Sequence, residues 1–198
     1  MNPTVAALLI LALGALPALS HDGAHKPAPR AARVISGEEP LAIPNFPVAL
    51  AGGTRGGLRD LLPETAPVII GFTYTNCQSL CGITNATLLW IDGALAENGL
   101  DGARIVTISI DPVHDTPQQL DATRREIGAS DRWLWVTGGP QGTRPLLDAL
   151  RFPPGPVEDH DPVYLVGRPC AGSFTRIVGL PDPDARYVLA ANLPECAG

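Results

Sequence analysis

Between residues 66 and 178 the chain alternates short, nearly unbroken apolar runs with longer segments of helical periodicity. Ala66 to Thr73 is continuous and rich in β-branched residues, the pattern of a strand buried on both faces. Arg104 to Ile110 and Trp133 to Thr137 repeat that pattern, and Val163 to Val166 with Phe174 to Val178 read as a pair of adjacent strands. The segment after Thr73 reads as a helix with Ile83, Leu88, Ile91 and Leu95 on one face and a stop at Asn98-Gly99. Asp115-Thr116-Pro117 starts a second helix carrying Leu120 and Ile127, with proline suited to a first turn. Thr143 to Arg151 and Pro183 to Leu193 read as two more helices. Strands and helices in this order predict an α/β domain with a central, mostly parallel sheet, an antiparallel end and helices on both faces.

The pattern is weaker upstream. Phe46 to Leu50, followed by Gly52-Gly53 and Gly56-Gly57, suggests a hairpin. Residues 21–40 are polar and proline-rich without periodicity, which predicts a flexible mature N-terminus and a folded domain over 41–198. Residues 1–20 pair an apolar run, Val5 to Leu19, with the small-x-small end Ala18-Leu19-Ser20, so they read as a secretory signal peptide. The run is about 15 residues, short of the roughly 20 that span a bilayer. The expected location is the periplasm or another exported compartment, where disulfides persist. Membrane contact then comes through a partner, or through this segment if it is not cleaved.

Composition narrows the class of partner. The chain has 198 residues, 45% hydrophobic and 17% charged, with a net charge of −6. It carries no block of basic residues, so a nucleic-acid partner has no electrostatic footprint.

Cys77 and Cys81 are the chemistry candidates, because they follow the first buried strand and open the first helix. Open α/β sheets place their sites at the carboxyl ends of such strands. Helix N-termini favour a thiolate through unpaired N–H groups and the helix dipole, and the thiolate is the form that attacks disulfides or binds metal. Residues i and i+4 share a helix face about 6 Å apart, close enough to form a bridge or to grip one soft ion. A redox pair, a structural disulfide and a metal grip all satisfy these facts.

A wider constellation separates them. Phe72-Thr73-Tyr74-Thr75-Asn76-Cys77-x-x-x-Cys81, then Asp111-Pro112-Val113-His114-Asp115-Thr116-Pro117, then His160 ahead of Tyr164-Leu165-Val166 together resemble the Sco (Sco/SenC/PrrC) family, over about residues 45–190. The resemblance implies a thioredoxin-like fold, copper as Cu(I) or Cu(II), and a part in metallating cytochrome c oxidase. It also implies Cys77, Cys81 and His160 as the metal ligands. Two thiolates and an imidazole suit Cu(I), although zinc also accepts such a set. On this reading the chain is an exported copper chaperone whose partner is a copper-receiving enzyme such as cytochrome c oxidase. The alternative is a thiol-disulfide oxidoreductase in which Cys77 attacks and Cys81 resolves, served by a thiol reductant protein. Copper needs His160 and disulfide exchange does not.

The chain departs from the family in having Gln78 and Gly82 where proline usually follows each cysteine. It also has one residue fewer than usual between the histidine and the tyrosine, and an acidic surround of Glu158, Asp159 and Asp161. Asp111 and Asp115 are expected to hold turn and helix-cap hydrogen bonds, and His114 is not expected to be a ligand. Cys170 and Cys196 lie outside the motif and are expected to form a structural disulfide. Met1 is the only methionine, so the mature chain has no thioether ligand of its own.

Overall fold

The computed structural model describes residues 35–76, 80–181 and 193–196, with the side chains of Ile35, Leu80 and Cys81 left out. The signal peptide, the N-terminus to residue 34, Cys77 and the helix expected from Pro183 therefore lie outside the described residues.

Among the described residues eight strands form one sheet: β1 (Ile35–Pro40), β2 (Pro47–Leu50), β3 (Arg55–Gly57), β4 (Val68–Thr73), β5 (Arg104–Ser109), β6 (Trp133–Thr137), β7 (Val163–Arg168) and β8 (Ser173–Val178). Their spatial order is β1-β8-β7-β4-β5-β6-β2-β3. Only the β4–β5 and β5–β6 pairs are parallel, so the parallel part is the three central strands and both edges, not one, are antiparallel. The expected hairpin is β2 and β3, paired from Pro47↔Gly57 to Ala49↔Arg55.

Side-chain alternation along the central strands divides the core in two. Val68, Ile70 and Phe72 of β4 join Val106, Ile108 and Leu165 on one face, where α3 (Gly139–Ala149) adds Leu146 and Leu147. Ile69, Ile105, Trp133, Trp135 and Tyr164 make the other face, covered by α1 (Leu80–Glu97) and by Leu120 of α2 (Pro117–Glu126). Every residue of β4 is buried, as a strand covered on both faces requires.

Three expectations change. Residues 35–40 are not part of a flexible tail but form strand β1, paired with β8 from Ile35↔Val178 to Pro40↔Ser173. Its sequence carries no strand periodicity; cross-strand polar pairs hold it, Arg176 donating to Glu39 (2.7 Å from Nη2) and Ser173 to Glu38 (2.8 Å). Ile83 does not face the core and is 43% exposed. Counting back four residues from Leu88 reaches Thr84, which is buried in its place, because one helix face repeats at i and i+4. Helix α3 begins at Gly139, four residues before Thr143, where the Gly139 N–H donates to Thr137 Oγ1 (3.1 Å).

Gly138 makes that start geometrically possible. A Cβ there would stand 2.5 Å from the Gly142 carbonyl carbon and from the Thr143 nitrogen, both backbone atoms that cannot swing aside. Gly138→Ala is expected to cost about 1–3 kcal/mol by overpacking, measured as a lower urea midpoint at unchanged slope.

Cys170, in the turn after β7, is disulfide-bonded to Cys196 with a Cα–Cα distance of 5.2 Å, as expected. Among the described residues no helix is long and apolar enough to cross a membrane.

Candidate metal centre

The register of the central strands gathers three loops at one end of the sheet. β4 and β5 are parallel, with Thr73 opposite Ser109, so the Tyr74–Asn76 turn and the Ile110–Thr116 loop leave side by side. β7 is antiparallel to β4, with Gly71 opposite Tyr164, so the beginning of β7 lies beside the end of β4. The loop carrying His160 therefore arrives where the cysteine run departs.

Asn76 is the last described residue before Cys77, and the thiol of Cys77 lies outside the described residues. Cys81 is the second residue of α1, in the first turn as expected, with its side chain also outside them. Among the described residues, which include neither of these thiols, no three His, Cys, Asp or Glu side chains converge on one point.

His160 is half-buried. Its Nδ1 lies 3.0 Å from the Asp161 carbonyl oxygen, an acceptor, so the neutral ring bonded there carries its proton on Nδ1 and keeps the Nε2 lone pair for a metal. The ring packs edge-on against Phe152, centroids 5.4 Å apart at 69°. Phe152 in turn packs on Phe72 of β4 at 4.6 Å. Three rings thus connect the histidine to the strand that leads, five residues after Phe72, into Cys77. Beside them a cavity of about 110 Å³ is bordered by Ile110, Leu147, Phe152, Val157 and His160.

The acidic loop before His160 bears on the same end. Tyr74 is buried among apolar side chains, and its phenol pKa is raised first by burial, then by the carboxylates of Glu158 and Asp111. Those two carboxylates come from different loops, which puts both within electrostatic reach of the residue three before Cys77.

Asp111 plays the expected turn role. Its Oδ1 accepts from the Val113 and His114 N–H groups at 3.2 Å each, and its Oδ2 lies 2.8 Å from His114 Nδ1. Asp115 does not cap α2. The cap is Thr116, whose side chain accepts from the Gln119 N–H while Gln119 accepts from the Thr116 N–H (3.0 Å), a reciprocal capping box. Asp115 turns inward: Oδ1 accepts from the Thr75 N–H (3.0 Å) and hydroxyl (2.6 Å), and Oδ2 accepts from the Ser109 hydroxyl (2.6 Å). The polar Ser109 after Ile108, within a buried apolar strand, was the sequence signal for this contact.

Comparison with known proteins places the chain in a family. A sequence profile of the SCO1/SenC family matches residues 58–171. The chain belongs to the SCO1/SenC family. A SCO1 protein homologue of Bacillus subtilis is 32% identical over 68 residues, 34% of this chain and 35% of that one. A relative from Stutzerimonas stutzeri is 29% identical over 125 residues, and the chain spans 58% of its length. Among solved structures, ScoI of Arabidopsis thaliana, with copper bound, superposes with a TM-score of 0.63 at 24% identity, over 75% of this chain and 96% of that one. A structure of BsSco, described as a member of the Sco family of cytochrome c oxidase assembly proteins with a disulfide switch, gives 0.60 at 19% over 78% and 97%. At these identities the likeness establishes the fold, a mixed α/β sheet of the thioredoxin-like Sco type.

Proposed function

We propose that this chain is an exported copper chaperone, holding one copper ion through Cys77, Cys81 and His160 and passing it to a copper enzyme, with cytochrome c oxidase as the recipient. The observation that carries the proposal is His160: its ring is held by Asp161 and Phe152, and among the described residues Nε2 has no hydrogen-bond partner, at the sheet end where the cysteine run begins. A histidine so arranged has no task in disulfide exchange. The donor chemistry fits the cargo, since thiolates and imidazole are soft and borderline ligands that favour Cu(I). Export is supported by the signal-like residues 1–20.

Binding displaces the thiol protons, so uptake releases protons and weakens as pH falls. Delivery follows by ligand exchange, in which a donor of the recipient takes a coordination position as one of the three ligands leaves. A set of two thiolates and one imidazole leaves a fourth position open to that incoming donor.

Cu(I) titration of the reduced mature protein tests this. One tight equivalent is expected, weakened by at least about tenfold, or ~1.4 kcal/mol, in His160→Ala. An unchanged affinity in that variant removes His160 from the ligand set, and absence of binding in the parent protein leaves the oxidoreductase reading in its place.

A further inference from the structure

We infer that Asp115 is the positioning residue of this centre: it fixes the turn that leads into Cys77 against the end of β5 and sets a buried carboxylate beside the cargo. The inference rests on the copper reading above and deepens it. Asp115 is 2% exposed, and a carboxylate buried to that degree is costly unless donors surround it. Donors do surround it, and they are unevenly distributed. The Thr75 N–H reaches both oxygens, at 3.0 and 3.2 Å, and the Thr75 hydroxyl reaches Oδ1. The Ser109 hydroxyl reaches Oδ2 and itself accepts from the Asp111 N–H at 3.2 Å.

Nothing in this set serves helix α2, although Asp115 adjoins its first turn, because Thr116 and Gln119 already satisfy that terminus. The contacts instead cross 40 residues of sequence to Thr75. Thr75, the residue that Asp115 holds, stands two positions before Cys77 in the sequence. Among the described residues no Arg, Lys or His forms an ion pair with Asp115, whereas Asp92, the other buried carboxylate, has Arg132 at 3.4 Å. A negative charge compensated only by neutral donors favours a cation arriving nearby. Both effects, placement and charge, act on the cargo through the cysteine run and require no direct bond to it.

The test compares the reduced, mature wild-type protein with Asp115→Asn, Ser109→Ala and Thr75→Val. Cu(I) affinity is measured by competition with a chromophoric chelator, and the Cu(II) form by its thiolate-to-copper absorption band and electron paramagnetic resonance spectrum. Asp115→Asn is expected to weaken binding by about 10- to 100-fold, the range found for groups that orient metal ligands, and to shift the band. The two hydroxyl deletions, which leave the carboxylate in place, are expected to weaken binding several-fold in the same direction and carry the test if Asp115→Asn does not fold. Unchanged affinity and an unchanged band in the folded variants, even with lower thermal stability, make Asp115 a structural staple and overturn the inference. A wild-type protein that binds no copper overturns the functional reading as well; a wild-type protein that binds copper beside variants that match it overturns this inference alone.

Discussion

Replacing Cys77 or Cys81 by serine is expected to lower Cu(I) affinity by about a thousandfold, roughly 4 kcal/mol, the largest effect of any single substitution in this protein. The hydroxyl is nearly isosteric with the thiol but is a hard donor, and Cu(I) selects soft ones. Loss of either thiol leaves one thiolate and one imidazole, so the two variants should resemble each other. The measurement is chelator competition, with circular dichroism to establish that the fold is kept. The contrast that decides mechanism is between these variants and His160→Ala. Both classes should lose copper, whereas only the cysteine variants should lose any capacity to reduce a disulfide substrate. If Cys81→Ser retains wild-type copper affinity, Cys81 is not a ligand and the proposed two-cysteine grip is wrong.

The second large effect concerns stability. Converting Cys170 and Cys196 together to alanine is expected to cost about 3–4 kcal/mol in the chain-entropy description of a loop of this size. The two residues are 26 apart in sequence. Urea unfolding in the absence of reductant measures the cost. Copper affinity of the folded fraction should not change, because the bridge lies at the far end of the sheet: β7 ends at Arg168, and Gly167 pairs with Val68 at the beginning of β4. A drop in affinity as large as that from His160→Ala would contradict this separation of roles. The same separation gives a practical expectation for the reduced protein. Mild reductant that keeps the Cys77 and Cys81 thiols reduced is expected to leave the Cys170–Cys196 bridge at the far end of the sheet in place.

The parts of the fold that could be read from sequence are those where one physical term dominates. β4, β5 and β6 are buried on both faces, so their runs Val68–Thr73, Arg104–Ser109 and Trp133–Thr137 stand out as mostly apolar, β-branched or aromatic stretches. β1 could not be read, since Ile-Ser-Gly-Glu-Glu-Pro has little apolar surface to pattern and becomes a strand only by pairing with β8. The start of α3 was hidden because Gly138-Gly139-Pro140 reads as a loop, and its helicity depends on close approach of backbone at Gly138. The same division holds at the candidate centre. Cys77, Cys81 and His160 are proposed from residue types and spacing along the sequence. The roles of Asp115 and Phe152 were not legible there, because each acts on residues remote in sequence, Asp115 on Thr75 and Phe152 on both His160 and Phe72.

The opposed directions of β4 and β7 have a mechanical consequence. In chain order one candidate residue, Cys77, follows the end of its strand, and the other, His160, precedes the beginning of its own. The segment between Phe152 and Val163 is held by a ring at one side and by the sheet at the other. A residue added to or removed from it alters how far the imidazole extends while the hydrogen-bond ladder from Val163 onward keeps its alignment. On the proposed ligand set, the short His160–Tyr164 interval of this chain sets how far the histidine reaches, at a place where the core need not adjust to it.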